Sequence, residues 1–261
     1  MTSFTSDGQD IAFIDVAPTS DKGHGEPILL IHGFASNTRV NWINTGWVKT
    51  LTDAGFRVIA FDNRGHGESS KPHDQSVYGA PLMAGDAARL LDHLNIGKAH
   101  VMGYSMGARI SAFLYLQNPD RVATVTFGGL GYNMVRGMAG TGPIAHALEA
   151  DSIEDVTNPT ARTFRAFAEQ TKSDLKALAA CIRSSRDPIS ADDVGTIACP
   201  GLVVVGERDV VGGSAEKLAE LMPNGNAVVL KDKDHMKAVG DQDYKQAVLG
   251  FLAENPLPTA G

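Results

Sequence analysis

Six short apolar runs punctuate the chain with amphipathic segments between them: PILLIH, RVIAFD, AHVMGY, VATVTFGG, GLVVVGE and NAVVLK. Each is rich in Val, Ile, Leu or Ala and apolar at successive positions, so each reads as a strand buried on both faces. That is the condition of strands in a parallel sheet covered by helices on both sides. Ahead of them, FTSDGQDIAFIDVA reads as an antiparallel hairpin turning at Asp7-Gly8. The expected class is therefore α/β, a mostly parallel eight-stranded sheet flanked by helices. Helical spacing places those helices over roughly 42–54, 79–95, 105–117, 213–222 and 241–253.

One interval breaks the alternation. From about Tyr132 to Ala198 no strand pattern occurs, while GPIAHALEA and ARTFRAFAEQTKSDLKALAACIRS read as helices. We expect a small helical cap over 132–198, inserted after the sixth strand, on a core made of 1–131 and 199–261. Arg162, Arg165, Glu169, Lys172, Asp174 and Lys176 mark the solvent face of its helices; Phe164, Phe167, Leu175 and Leu178 face inward. A chain of 261 residues, 43 % hydrophobic, can bury such a core.

The formal charge of −7 argues against nucleic acid or an anionic membrane as partner. MTSFTSDGQDIAFIDVA lacks the basic start and continuous apolar run of a signal peptide, and no segment has the ~18–20 unbroken apolar residues of a membrane span. A cytoplasmic location is expected. Cys181 and Cys199, without metal-ligand spacing, read as buried free thiols.

The chemistry centres on AHVMGYSMGAR, residues 99–109, where Ser105 stands between a strand and a helix with Gly103 and Gly107 on either side. Gly-x-Ser-x-Gly is a weak signal in a chain with 28 glycines; the strand before it and the apolar helix after it make it specific. A tight, strained turn leaves no room for Cβ atoms beside the serine, and the helix N-terminus favours developing negative charge. An alcohol needs a base, and the base needs an orienting acid. The functional loops of an open parallel sheet lie at the carboxyl ends of its strands. After GLVVVGE comes Asp209, and after NAVVLKDKD comes His235. Asp232 and Asp234 stand close to His235 as alternative acids, while the end of the sixth strand, TFGGLGYN, carries no carboxylate. A tetrahedral intermediate also needs two N–H donors. Met106, after the serine, supplies one; Phe34 in HGFASN supplies the other, with Gly33 permitting the sharp turn.

These residues resemble the α/β-hydrolase superfamily over nearly the whole chain. HGF matches its oxyanion loop, DNRGHGES (62–69) its turn after the next strand, GYSMG its nucleophile elbow, GERD (206–209) its acid loop and KDHMKAV (233–239) its histidine loop. Ala108, where many relatives have glycine, and the two tryptophans of SNTRVNWINTGW depart from the pattern. The resemblance implies a serine hydrolase that cleaves small to medium soluble carboxylic esters through Ser105, His235 and Asp209, with no metal or cofactor. Phe164 and Phe167 are candidates for cap core or substrate contact, and Trp42, Met134 and Met138 for the pocket. An enol-lactone or carbon–carbon bond hydrolase is the alternative, with Arg136, Arg162, Arg165 or Arg183 as the cation for a substrate carboxylate. A ligand receptor on the same scaffold is a further one. The sequence carries no signal for an oligomeric state.

Overall fold

The computed structural model describes residues 1–20, 25–137, 141–184 and 187–257. Eight strands form one sheet: β1 (Thr2–Ser6), β2 (Gln9–Val16), β3 (Pro27–Ile31), β4 (Arg57–Phe61), β5 (Ala99–Tyr104), β6 (Val122–Gly128), β7 (Gly201–Gly206) and β8 (Gly225–Leu230). Their order is β1-β2-β4-β3-β5-β6-β7-β8, with β1/β2 and β2/β4 antiparallel and the rest parallel. The first hairpin turns at Asp7-Gly8, where both residues have positive φ (49° and 74°), as a two-residue hairpin loop demands.

Described helices are α1 (Trp47–Asp53), α2 (Ala80–His93), α3 (Met106–Gln117), α4 (Asn133–Arg136), α5 (Thr141–Glu149), α6 (Pro159–Gln170), α7 (Leu175–Ser184), α8 (Ala191–Gly195), α9 (Ala215–Ala219), α10 (His235–Ala238) and α11 (Gln242–Glu254). Successive strand residues point to opposite faces, which sorts the core into two layers. Leu29, Ile31, Ile59, Phe61, Val203 and Val205 pack with α2 and α3. Ile28, Leu30, Val58, Ala60, Leu202 and Val204 pack with α1 and α11.

Two local expectations are corrected. The helix expected over 42–54 is a wide π-helical turn at Arg39–Ile43 followed by α1. Gly46, at φ 80° against the Lys245 ammonium, breaks the run. NAVVLK is not buried on both faces: β8 pairs only with β7, and Val229 is 45 % exposed at that edge. The β-branched pattern marks a strand without marking its place in the sheet.

Between β6 and β7 the described chain contains α4 to α8 and no strand. A single buried residue ties both stems of this insertion to the core. Arg109 of α3 donates to the main-chain carbonyls of Asn133 and Met134 at one stem and of Asp187 at the other, at 2.7–3.2 Å. Arg165, expected on the solvent face, is instead 5 % exposed and donates to the carbonyls of Ala147, Leu148 and Ala150. Those groups have no intrahelical donor at the end of α5, so a guanidinium fork satisfies them.

Candidate active site

Ser105 sits at the carboxyl end of β5 with φ 56° and ψ −111°, a conformation that costs a non-glycine residue on the order of 1–3 kcal/mol. Its surroundings hold it there. Its N–H donates to the Gly128 carbonyl at 2.7 Å, and α3 starts at the next residue. The flanking glycines are needed for closeness. A Cβ on Gly107 would lie 1.9 Å from the Ile31 carbonyl oxygen, and one on Gly103 would lie 2.1 Å from that of Gly107. Ala108 is fully buried in the first turn of α3 without such a conflict.

The loops after β7 and β8 bring Asp209 and His235 to this serine. His235 Nε2 lies 3.1 Å from Ser105 Oγ, and its Nδ1 lies 2.7 Å from Asp209 Oδ2. The other Asp209 oxygen accepts from the Val211 and Gly212 N–H groups at 2.8 and 2.9 Å. Asp232 and Asp234 are engaged elsewhere. Asp232 pairs with Arg208, and Asp234 caps α10 through the Met236 and Lys237 N–H groups, which also holds its carboxyl below the usual range. Tyr104 donates its hydroxyl to the His235 main-chain carbonyl at 2.6 Å, and burial keeps that phenol protonated. The sequence offered Tyr104 only as the variable position beside the serine.

Neither the Phe34 nor the Met106 N–H has a hydrogen-bond acceptor among the described residues. A buried neighbour orients the first of them. His32 lies 2.8 Å from the Gly33 carbonyl through Nδ1, and its Nε2 lies 2.9 Å from the Asn63 N–H. These partners fix the tautomer: Nδ1–H donates and Nε2 accepts, so the ring is neutral. Burial lowers the His32 pKa and keeps it so, against the pull of Asp62. The Gly33 carbonyl is thereby turned toward His32, and the planar trans peptide sends the Phe34 N–H the opposite way. Gly33 itself abuts the nucleophile: a Cβ there would lie 3.4 Å from Ser105 Cβ. In the sequence His32 stands at the end of the PILLIH run and at the head of HGF; its tie to Asn63, 31 residues away, has no local signal.

A cavity of about 370 Å³ opens over Ser105 and His235. Phe34, Phe164 and Phe167 line it, with Val211, Met236 and Val239 on the histidine side. Two pocket expectations are corrected. Trp42 is fully buried against Trp47 in the α1/α11 layer, and Met134 is fully buried in the core beneath the insertion, so neither lines the cavity. Met138 lies outside the described residues. Of the four candidate arginines, none lines the cavity. Arg162 pairs with Glu154, Arg165 with Glu169 and Arg183 with Glu149, while Arg136 is exposed at the end of α4. Among the described residues no three His, Cys, Asp or Glu side chains converge as a metal-binding group, and no helix is long and apolar enough to cross a membrane.

Residues 26–139 match the family model described as alpha/beta hydrolase fold. The dihydrolipoyllysine-residue acetyltransferase component of an acetoin cleaving system from Pseudomonas putida is 28 % identical over 88 % of this chain and 64 % of its own length. An epoxide hydrolase of Caballeronia sordidicola is 30 % identical over 70 % of this chain and 47 % of its own. The chain thus spans about half to two thirds of the length of these curated relatives. Among solved structures, a hydrolase from Pseudomonas aeruginosa PA01 superposes with a TM-score of 0.79 at 24 % identity, covering 96 % of this chain and 97 % of that one.

Proposed function

We propose, for a chain that belongs to the α/β-hydrolase superfamily, that Ser105, His235 and Asp209 cleave uncharged carboxylic esters of small to medium size. The observation that carries this reading is the cavity itself. It opens on Ser105 and His235, most of its lining is aromatic or aliphatic, and no Arg, Lys, Asp or Glu of the described residues lines it. A substrate carboxylate placed there would lose its hydration without gaining a cationic partner. That favours a neutral acyl group over the carboxylate-bearing substrates of an enol-lactone or carbon–carbon bond hydrolase. Ester formation at an alkyl carbon, as in epoxide opening through a covalent intermediate, calls for a carboxylate nucleophile, and a serine stands at position 105.

The steps follow from the contacts. His235 Nε2 takes the Ser105 proton as Oγ adds to the ester carbonyl. The carbonyl π pair moves onto oxygen, where the Phe34 and Met106 N–H groups receive it. Collapse expels the alkoxide, which leaves as alcohol with the proton from His235. Water, deprotonated by the same imidazole, then releases the acid and regenerates Ser105. Asp209 keeps the Nδ1 proton in place and stabilises the imidazolium. The helical insertion acts as a cap that contributes Phe164 and Phe167 to the acyl pocket.

A matched pair of substrates tests the reading: p-nitrophenyl hexanoate and the p-nitrophenyl monoester of adipic acid. The neutral ester is expected to be cleaved with kcat/KM at least about 100-fold higher. Equal or better cleavage of the anionic ester would reject the neutral-ester assignment in favour of the carboxylate-binding alternative.

A further inference from the structure

We propose that Thr171, at the end of α6, is a positioning residue for the oxyanion loop, so that the insertion helps to assemble the site of transition-state stabilisation as well as to cover it. The proposal rests on the serine-hydrolase reading above. Ala35, in the loop that follows Gly33, is fully buried with φ 58°. It is an alanine in the left-handed region, which persists only where its surroundings impose it. The Ser36 N–H closes the turn onto the Gly33 carbonyl at 3.3 Å, a long bond for a task of this kind. The added constraint comes from 136 residues away. Thr171 Oγ1 lies 3.0 Å from the Ala35 carbonyl.

The hydroxyl has one proton and three carbonyls within reach, those of Ala35, Phe167 and Ala168. The Phe167 and Ala168 carbonyls already accept from the Thr171 and Ser173 N–H groups at 3.0 and 2.9 Å. Ala35 has no other donor among the described residues, so the proton is best placed there. Ser173 Oγ, 2.9 Å from Thr171 Oγ1, can donate to the hydroxyl oxygen and favour that orientation. Holding the Ala35 carbonyl keeps the turn closed, and the closed turn keeps the Gly33–Phe34 peptide in the orientation set by His32.

Two further contacts join the insertion to the same pair of N–H donors. The Phe164 ring of α6 lies 6.0 Å from that of Phe34, and Cys181 Sγ of α7 lies 4.0 Å from Met106 Sδ. Both residues that would bind the oxyanion are therefore touched by the insertion.

The test compares Thr171→Val, which keeps the shape and removes the hydroxyl, with Thr171→Ser, which restores it. Three quantities are read: kcat and KM on p-nitrophenyl hexanoate, the second-order rate of Ser105 phosphorylation by paraoxon, and Tm. Paraoxon forms the Oγ–P bond and expels p-nitrophenolate, loading the oxyanion hole without needing deacylation. Thr171→Val is expected to lose about 10-fold in kcat and in the phosphorylation rate with KM within about 2-fold, and Thr171→Ser to recover most of it. A Thr171→Val enzyme with wild-type kcat and phosphorylation rate overturns the proposal even if its Tm falls. So does a Thr171→Ser enzyme as impaired as Thr171→Val. A wild type that is phosphorylated but turns over no ester rejects the esterase reading alone, and the phosphorylation rates then decide on Thr171. A wild type that neither turns over the ester nor is phosphorylated by paraoxon overturns both, and one that turns over the ester without being phosphorylated leaves kcat to decide on Thr171.

Discussion

Asp209 meets His235 at 2.7 Å through one carboxylate oxygen, while its other oxygen is held by the Val211 and Gly212 N–H groups. The carboxylate is thus fixed by the backbone of its own loop before it orients the imidazole. It is 7 % exposed, so little water competes for the contact.

Asp209→Asn separates orientation from folding. The amide oxygen can still accept from Val211 and Gly212, leaving the amide NH₂ against His235 Nδ1. The imidazole must then carry its proton on Nε2, facing Ser105, in the wrong tautomer for a base. We expect kcat to fall by about 10³–10⁴-fold, with Tm changed little. Steady-state kinetics beside a thermal melt check both halves.

Gly107→Ala tests whether the elbow depends on closeness of backbone. The new Cβ would lie 1.9 Å from the Ile31 oxygen and 2.8 Å from that of His32, both main-chain atoms at the end of β3. Neither can yield without moving the strand that leads into the oxyanion loop. Overpacking of this kind costs about 2–3 kcal/mol, or about 4–12 °C in Tm for a chain of this size. Ester hydrolysis should fall with it. A variant with wild-type Tm and rate would contradict the packing described for the elbow.

The positions of the strands and of Ser105, Asp209 and His235 were legible because each depends on a local pattern. A β-branched run gives the strand, and the residue after it stands at the carboxyl end of the sheet. Other features depend on what folds over what. Trp42 is indistinguishable in sequence from a pocket tryptophan; its burial against Trp47 follows from the left-handed Gly46 between them. Arg165 reads as a surface charge until α6 packs on the end of α5 and gives it three carbonyls. The cavity wall is drawn from segments around residues 34, 164 and 236, whose convergence no spacing encodes.

Acid sensitivity follows from buried imidazoles, among them the neighbouring His32 and His66. Burial lowers His66 from 6.5 to about 3 and lowers His32 as well, with His66 further depressed by its neighbour. In the unfolded chain both bind protons near pH 6.5; in the folded chain they stay neutral. For His66, between pH 6.5 and about 3, the unfolded state binds more protons, so stability falls as pH drops below about 6.5, by up to about 1.4 kcal/mol per pH unit, and His32 acts in the same direction. Denaturant unfolding at pH 7, 5.5 and 4.5 should show this decline, and His66→Gln should flatten it relative to wild type. Parallel profiles for the two proteins would contradict the assignment of His66 as a neutral buried group.

The most direct measurement of the central claim is hydrolysis of p-nitrophenyl esters of graded acyl length by wild type beside Ser105→Ala. The account predicts many turnovers per enzyme, a maximum at short or medium chains, and no turnover above background in the variant. A variant that keeps the wild-type rate, or a wild type that releases one equivalent of nitrophenol and stops, would contradict it.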